Sequence, residues 1–404
     1  MEPLEIKHEY ILITSANFPS GGAGANYLNL FCKGLTIKGF IVQVFLLKGF
    51  AFGGYTNLNS RKNITEYGIP YTYLGFIKRP QNTFLKLCDE LISIVGLITL
   101  LFSLLKKRKT TTLLIYNSEI QSNIPVFLMA RVFKIRIATF VPEFYDKSVF
   151  SGSFFRKLKW YGLLINFYYV IKKSNKLIVF SYFLKDEFLK KGFREKDILV
   201  QPSLTDFDFW VTNNQEVKYT VGYSGTPTAK DGLYDLFKAI SLLQNKTWQV
   251  NLLVIGDSVC GNSLIPGLKI ECQRLGISDK VTFTGLVESE AVKEYLSECK
   301  ILAITRPSTR QTKAGFPTKL GEYFATQKPI LTTKFGDIER YFDSGVDIVM
   351  AETGNPESIA LKIKWIIENS ASSQLIARNG LIKAKELLDY TKSVSRMIQF
   401  INEN

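Results

Sequence analysis

Residues 301–333 read ILAITRPSTRQTKAGFPTKLGEYFATQKPILTT. The apolar run at 301–305 has the length of a strand, and 329–333 forms a second. Between them the loop Arg306-Pro307-Ser308-Thr309-Arg310 leads, past Lys313, Ala314 and Gly315, to a helix over 318–326 that Pro317 or Thr318 begins. Strand, helix and strand in so short a span make one βαβ crossover, which implies a parallel sheet. On that helix Lys319 and Glu322 stand three apart and share a face. A cation in the first turn opposes the helix dipole, and an anionic ligand would offset that cost. Glu322, one turn on, can accept hydrogen bonds from two adjacent hydroxyls such as those of a ribose. With no ligand the two residues would be a solvated pair. Tyr323, Phe324 and Ala325 suit the face packed on the sheet.

The same alternation recurs outward from this unit. Strand-like runs at 219–223, 249–255 and 281–284 are separated by helical stretches at 233–243 and 290–298, and 356–403 reads as two or three helices. Nearer the N-terminus the pattern is a strand at 10–14, a Gly- and Pro-rich loop at 17–24, a helix at 25–38 and a strand at 41–47. Strands at 112–116, 135–140 and 176–180 follow. Short, continuously apolar strands alternating with helices belong to parallel sheets covered on both faces. A chain of 404 residues exceeds one ordinary hydrophobic core, so two α/β domains are expected. The polar stretch 212–216 is the natural linker. The expected division is one domain at 1–212, a second at 213–385, and a last helix at 386–404 packing back toward the first. The fold class expected is α/β, with two Rossmann-like, doubly wound domains facing across a cleft. Ligands in such sheets sit at the carboxyl ends of strands, which directs attention to the loops after Thr14, Val221, Ile255 and Thr305.

Composition narrows the chemistry. A single histidine, His8, and five scattered cysteines without CxxC spacing leave no His-based metal cluster, no Ser-His-Asp triad and no disulfide framework. No cofactor and no metal are expected. Residues 1–212 hold 28 Lys and Arg against 15 Asp and Glu, whereas 213–404 hold 23 against 21, so nearly all of the +15 net charge lies in the first half. Such a half faces a polyanion or an anionic surface. The apolar stretch at 91–105, followed by Lys106-Lys107-Arg108-Lys109, is too short for a bilayer crossing of about 20 residues. It fits either a buried helix or an interfacial one on anionic lipid, and the second basic patch at Arg156-Lys157-Leu158-Lys159-Trp160-Tyr161 favours the interfacial reading. Nucleic acid is the poorer partner, because the basic residues do not interleave with aromatics on short strands.

In the second half, the strand at 219–223 runs into Ser224-Gly225-Thr226-Pro227-Thr228-Ala229-Lys230-Asp231-Gly232 and then a helix. Gly225 permits a tight turn, the amides beyond it can face an anion, and Lys230 brings a positive charge to the helix start. An ordinary surface turn with a solvated lysine is the plain alternative.

Together these segments resemble a retaining glycosyltransferase of the GT-B type, family 4, the group of bacterial capsule, O-antigen and exopolysaccharide enzymes. Gly21-Gly22-Ala23-Gly24 resembles its N-terminal glycine loop, 226–232 its Lys-Gly turn, 281–285 the segment carrying its base-binding loop, and 315–329 its glutamate signature. The family's paired glutamates stand at Ala314 and Glu322 here, so the first is missing, and its common arginine falls on Thr226. Arg306, Arg310 and the amides of Gly315 and Phe316 are candidates to compensate.

The resemblance implies transfer of a hexose from a nucleotide diphosphate sugar with retention of configuration, with 1–212 as the acceptor domain and 213–385 as the nucleotide-sugar domain. Lys230, Lys319 and Arg306 would stabilise the departing diphosphate in place of a metal. Gly22, Ala23, Gly24, Gly225, Thr226, Gly315, Phe316, Pro317, Thr318 and Glu322 would bind the donor, and Glu143 would lie on the acceptor side. The acceptor implied is a lipid-linked or surface glycan, with the basic domain on the anionic inner face of the plasma membrane of the cytoplasm. A transferase with a soluble acceptor, or an inactive nucleotide-sugar-binding scaffold, remains the alternative.

Overall fold

The computed structural model describes residues 8–50, 60–104, 111–116, 119–144, 147–150, 152, 154–212, 215–244, 249–258 and 263–403. The chain divides into two compact units, one of Met1–Pro202 with Tyr390–Asn404 and the other of Ser203–Asp389.

The first unit runs β1 (Glu9–Thr14), α1 (Ala23–Ile37), β2 (Ile41–Leu46), β3 (Lys62–Ile64), β4 (Pro70–Tyr73), α2 (Thr83–Ser103) and β5 (Thr111–Tyr116). It continues with α3 (Ile120–Phe133), β6 (Arg136–Val141), α4 (Phe154–Ile165), β7 (Lys176–Val179), α5 (Tyr182–Lys190) and β8 (Ile198–Val200). The strands lie in the order β3-β4-β2-β1-β5-β6-β7-β8, all parallel except β3, which pairs antiparallel with β4. Every residue of β1 and β5 is buried, which is why neither strand alternates apolar with polar.

The second unit begins with β9 (Tyr219–Ser224), α6 (Leu233–Leu242), β10 (Leu252–Ile255), α7 (Ile265–Arg274), β11 (Val281–Phe283), α8 (Ser289–Ser297) and β12 (Cys299–Ile304). Then come α9 (Arg310–Ala314), α10 (Thr318–Ala325), β13 (Ile330–Thr333), α11 (Ile338–Tyr341), β14 (Val349–Ala351), α12 (Pro356–Glu368) and α13 (Ser370–Leu388). Its parallel sheet is ordered β11-β10-β9-β12-β13-β14. Alternate strand residues feed two cores, one holding Val221, Val254 and Ile301 and the other Leu253, Leu302 and Ile304, so the sheet is covered on both faces. The last helix, α14 (Tyr390–Asn402), returns to the first unit and packs on α1, where Gly34 admits Val394: a Cβ there would lie 2.8 Å from that side chain.

In each sheet the chain builds outward in one direction and then restarts on the other side of its first strand. The reversal lies between β1 and β5 in the first unit and between β9 and β12 in the second. These are the topological switch points where the loops after the strands part and leave room for a ligand.

Candidate functional site

Three charged side chains, Asp231, Arg306 and Lys319, meet at the β9/β12 switch point. Thr228 ends the loop after β9, and its hydroxyl donates to Asp231 Oδ2 at 2.7 Å. Gly232 follows in a left-handed conformation, φ 70°, with its backbone so close to the carbonyl of Thr305 that a Cβ would overlap that oxygen. The Thr305 hydroxyl donates to Gly232 O at 3.0 Å. The loop after β9 is thereby fastened to the end of β12, which sets Asp231 opposite Arg306.

Asp231 is fully buried and takes two cations. Lys319 Nζ lies 3.2 Å from Oδ1, and the Arg306 guanidinium donates to the same oxygen from Nε at 3.3 Å and Nη2 at 3.2 Å. Burial alone would raise the Asp231 carboxyl, but Lys319 and Arg306 outweigh it and hold it well below the usual carboxylate range. The Lys319 ammonium also lies over the Tyr223 ring, 4.0 Å from its centroid. Gly225, at φ 123°, leaves the space for it, since a Cβ there would lie 2.8 Å from Nζ. Burial pulls the Lys319 ammonium down to about 8 against the pull of Asp231. Three residues along α10, burial pushes the Glu322 carboxyl up to about 7, opposed by Lys319. The expectation that Lys319 and Glu322 share a face of one helix is met. They are not a solvated pair, however, because Lys319 is buried and Glu322 half-buried.

Other residues singled out in the sequence fall around this cluster. Lys230 is half-buried beside Asp231 and makes no ion pair or hydrogen bond among the described residues. Thr226 donates to the Asp257 carbonyl at 3.4 Å and accepts nothing charged, although its own carbonyl takes the Tyr223 hydroxyl at 3.1 Å. Phe316 is buried against Tyr341, with ring centroids 5.8 Å apart, so its backbone is what the loop presents. Pro317 precedes α10 without a side-chain cap, and Gly315 and Thr318 are half-buried on either side of Phe316 and Pro317. Ala314 is wholly buried. A glutamate at that position would enter the core unless α9 turned. Tyr323 takes the Ser224 amide at 2.7 Å, locking α10 to the end of β9.

In the first unit, Gly22 precedes α1 at φ 110° in open space, and Gly24 faces the Tyr116 hydroxyl, 3.2 Å from where its Cβ would be. Ala23 is the first residue of α1. Glu143 lies beyond β6 and, with Pro142, Asn166 and Phe167, lines a small pocket of that unit. The run Lys106-Lys107-Arg108-Lys109 lies outside the described residues. Among the described residues no group of three or more His, Cys, Asp or Glu could hold a metal ion.

Sequence reasoning missed Asp231. It stands in a loop of ordinary turn residues, and its partners are 75 and 88 positions away. The one local signal was a carboxylate placed between a lysine and a glycine at a strand's carboxyl end.

Residues 204–383 match the family model for glycosyl transferases group 1. Over 97% of this chain and 98% of the other, the structure is similar to HepE of Anabaena in complex with UDP and glucose, with 17% identity and a TM-score of 0.71. Sucrose-phosphate synthase from Thermosynechococcus elongatus is similar over the same shares, with 14% identity and a TM-score of 0.73. The chain has the GT-B fold. Through 204–383 this GT-B chain is related to the glycosyl transferases of group 1, and the cluster around Asp231 lies inside the matched segment. An uncharacterized glycosyltransferase of Methanocaldococcus jannaschii is 23% identical over 220 residues, which make 53% of this chain and 56% of that protein. The match thus spans little more than half of that relative's length. No helix of the described residues is long and apolar enough to cross a membrane.

Proposed function

We propose that the chain is a retaining, metal-independent glycosyltransferase of family 4 that moves a hexose from a nucleotide diphosphate sugar to a lipid-linked or surface-glycan acceptor. The observation that carries this reading is the pairing of Lys319 and Arg306 on buried Asp231, with Lys230 beside them, at the switch point of a segment matching glycosyl transferases group 1.

A departing diphosphate accumulates negative charge, and preorganised cations stabilise it without reorganising solvent. Lys230, Lys319 and Arg306 are assigned that task, with Asp231 fixing the latter two before the donor arrives. Gly225 and Thr226, together with the backbone at Gly315, Phe316, Pro317 and Thr318, supply amides and hydroxyls to the phosphates, and Glu322 takes the ribose hydroxyls. Gly22, Ala23 and Gly24 stay assigned to the donor and Glu143 to the acceptor. With retention, the C1–O bond to the phosphate breaks as the C1–O bond to the acceptor forms on the same face. The acceptor proton passes to the leaving phosphate oxygen, so no pair of protein carboxylates is required. The buried Ala314 marks a subgroup that holds the sugar without the first glutamate. Because HepE is described with UDP and with UDP-glucose, uridine nucleotide sugars are the first donors to try.

The test is a panel of UDP-, GDP- and ADP-hexoses scored for release of nucleoside diphosphate and for configuration of the product. Nucleotide binding without turnover of any donor would make the chain a scaffold. The likeness to sucrose-phosphate synthase supports a second reading, a soluble acceptor, which the same panel tests with sugar phosphates in solution. The basic first unit supports placement on the cytoplasmic face of the plasma membrane as a peripheral protein.

A further inference from the structure

Three neighbouring helices of the first unit turn apolar stripes to solvent. On α2 the stripe is Phe84, Leu87, Leu91 and Val95, while Asp89 and Ser93 face inward ahead of Leu97 and Leu101. The inversion has a local cause: Asp89 Oδ1 accepts from the Phe76 amide at 2.6 Å, which ties a polar side of the helix to the loop after β4. On α3 the stripe is Ile124, Leu128 and Val132, the last two 61% and 71% exposed. On α4 it is Phe154, Leu158, Tyr161 and Ile165. Spacings of three and four put each set on one helical face, and α3 packs against both α2 and α4. So wide an exposed apolar surface marks an interaction site.

Beside this surface a groove of about 630 Å³ runs along the end of α3 at the amino-terminal ends of β6 and β7. Its apolar floor includes Phe127, Ile135 and Ile137, and Leu128 stands both in the groove and on the exposed stripe. Arg131, Lys134 and Lys173 line it, and none of the three makes an ion pair or hydrogen bond among the described residues. Arg136 donates to the Ile401 carbonyl at 2.8 Å and adds a fourth positive charge. No acidic side chain lines the groove.

We propose that this groove binds the phosphate headgroup of an anionic phospholipid, with the stripes of α2, α3 and α4 lying in the bilayer interface. The juxtaposition fits one occupant. Arg131, Lys134 and Lys173, with no partner among the described residues and beside an exposed apolar rim, match a ligand whose charge and hydrocarbon are joined, and that ligand is a lipid. A protein partner would need acidic residues set among apolar ones, and a second copy of this chain would bring a groove of the same positive sign. Glu143 lies beyond the carboxyl end of β6 and the groove at its amino end, so the lipid held here is a docking ligand distinct from the glycosyl acceptor. The inference rests on the reading of the chain as a peripheral membrane transferase and names the surface that makes it so.

The test is co-sedimentation of the full chain with vesicles of phosphatidylcholine alone and of phosphatidylcholine with phosphatidylglycerol. Each lysine or arginine near an anionic surface contributes about 1 kcal/mol, so Arg131→Glu with Lys134→Glu and Lys173→Glu is expected to weaken binding to the anionic vesicles by more than roughly 100-fold. Leu128→Asp with Val132→Asp is expected to weaken binding to both vesicle types. Donor turnover in detergent-free solution and the melting temperature are expected to stay unchanged in the charge-reversed protein. Unaltered binding of that protein to anionic vesicles overturns the groove and leaves the transferase reading standing. Absence of turnover in a wild-type chain whose vesicle binding needs the three cations overturns the transferase and supports the groove. A self-associated wild type that Leu128→Asp with Val132→Asp dissociates, and that ignores vesicles, assigns the face to a second copy and overturns the proposal.

Discussion

At each switch point a carboxylate is held by two cations, but the two carboxylates differ in their exposure to solvent. In the first unit Glu119 takes Lys48 at 2.6 Å and Lys159 at 3.1 Å. In the second, Asp231 takes Lys319 and Arg306, each at 3.2 Å. The Glu119 side chain is 25% exposed and that of Asp231 2%. Burial acts against both carboxylates, and their cations overcome it, bringing Glu119 down to about 2 and Asp231 well below the usual range. Water can replace a lost partner of Glu119, whereas Asp231 has no such substitute. Buried charges in this arrangement are costly and are weak evidence for stability. Retaining them at the end of β9 is more readily explained by an anion that arrives later and finds its cations already fixed.

Removing each carboxylate sharpens that contrast. Asp231→Ala leaves Lys319 and Arg306 buried without a counter-charge and is expected to cost about 3 to 5 kcal/mol of stability. Glu119→Ala is expected to cost under about 1 kcal/mol. Denaturant melts of the two variants measure this directly. The Asp231 carboxyl is depressed in the folded chain, so its contribution is present above the unfolded carboxyl's value of about 3.9 and is lost as pH falls further. That acid-side loss should be missing from the variant. Equal costs in the two proteins would mean that burial is not what separates the sites.

The glycines beside these carboxylates give the next contrast. Gly232→Ala must place a Cβ onto the Thr305 carbonyl from a left-handed backbone, and about 3 kcal/mol of destabilisation is expected. Gly24→Ala meets only the tip of Tyr116 at 3.2 Å from a helical position, and should stay within about 1 kcal/mol of wild type. Thermal melts rank them. A mild Gly232→Ala would show that the loop after β9 can leave β12 without unfolding.

Lys230 has no buried ion-pair partner among the described residues, so under the proposed function its substitution is expected to act on the reaction more than on folding. Lys230→Ala is expected to lower turnover by roughly 100-fold, the scale of one preorganised donor to a developing charge. Affinity for free nucleoside diphosphate should change by less than about threefold. Rates and titrations run on the same preparation separate the two, and an unchanged rate removes Lys230 from the mechanism.

The two parallel sheets could be read from the sequence because apolar runs of strand length stand between helical ones, whereas the GT-B type was implied by the resemblance of 21–24, 226–232, 281–285 and 315–329. Helix α10 was legible for a similar reason: spacing along one helix fixes which side chains share a face. What spacing does not carry is contact between segments, so Asp231 passed unread although its immediate neighbour Lys230 was noted. The stretch at 91–105 shows the same limit. Its hydrophobicity was evident, but which side faces water depends on Asp89 reaching the Phe76 amide, a tertiary contact. The short strands β3, at the sheet's edge, and β4 beside it were missed because Lys62–Ile64 and Pro70–Tyr73 contain a lysine, an asparagine and, as the first residue of β4, a proline, all poor strand signals.

The smallest effect tests the pair on α10 by pH. Glu322 holds its proton to about 7 and Lys319 loses its own near 8, so affinity for nucleoside diphosphate should rise through 7 and fall beyond 8. Below 7 the carboxyl is protonated and ceases to accept two hydroxyls. Above 8 the ammonium is neutral and no longer attracts phosphate. Glu322→Gln is expected to remove the acid limb and to weaken binding by about tenfold at pH 8, the cost of a hydrogen bond to a charged group. Lys319→Arg should remove the alkaline limb, because a guanidinium keeps its charge throughout. Stability has its own sign. A folded carboxyl raised above the unfolded value of about 4.3 stabilises the chain below that value and loses the contribution as pH rises through 7, so Glu322→Gln should flatten the slope between them. If the acid limb of nucleotide affinity persists in Glu322→Gln, the carboxylate does not meet the nucleoside, and the role left to it is holding the charge of Lys319.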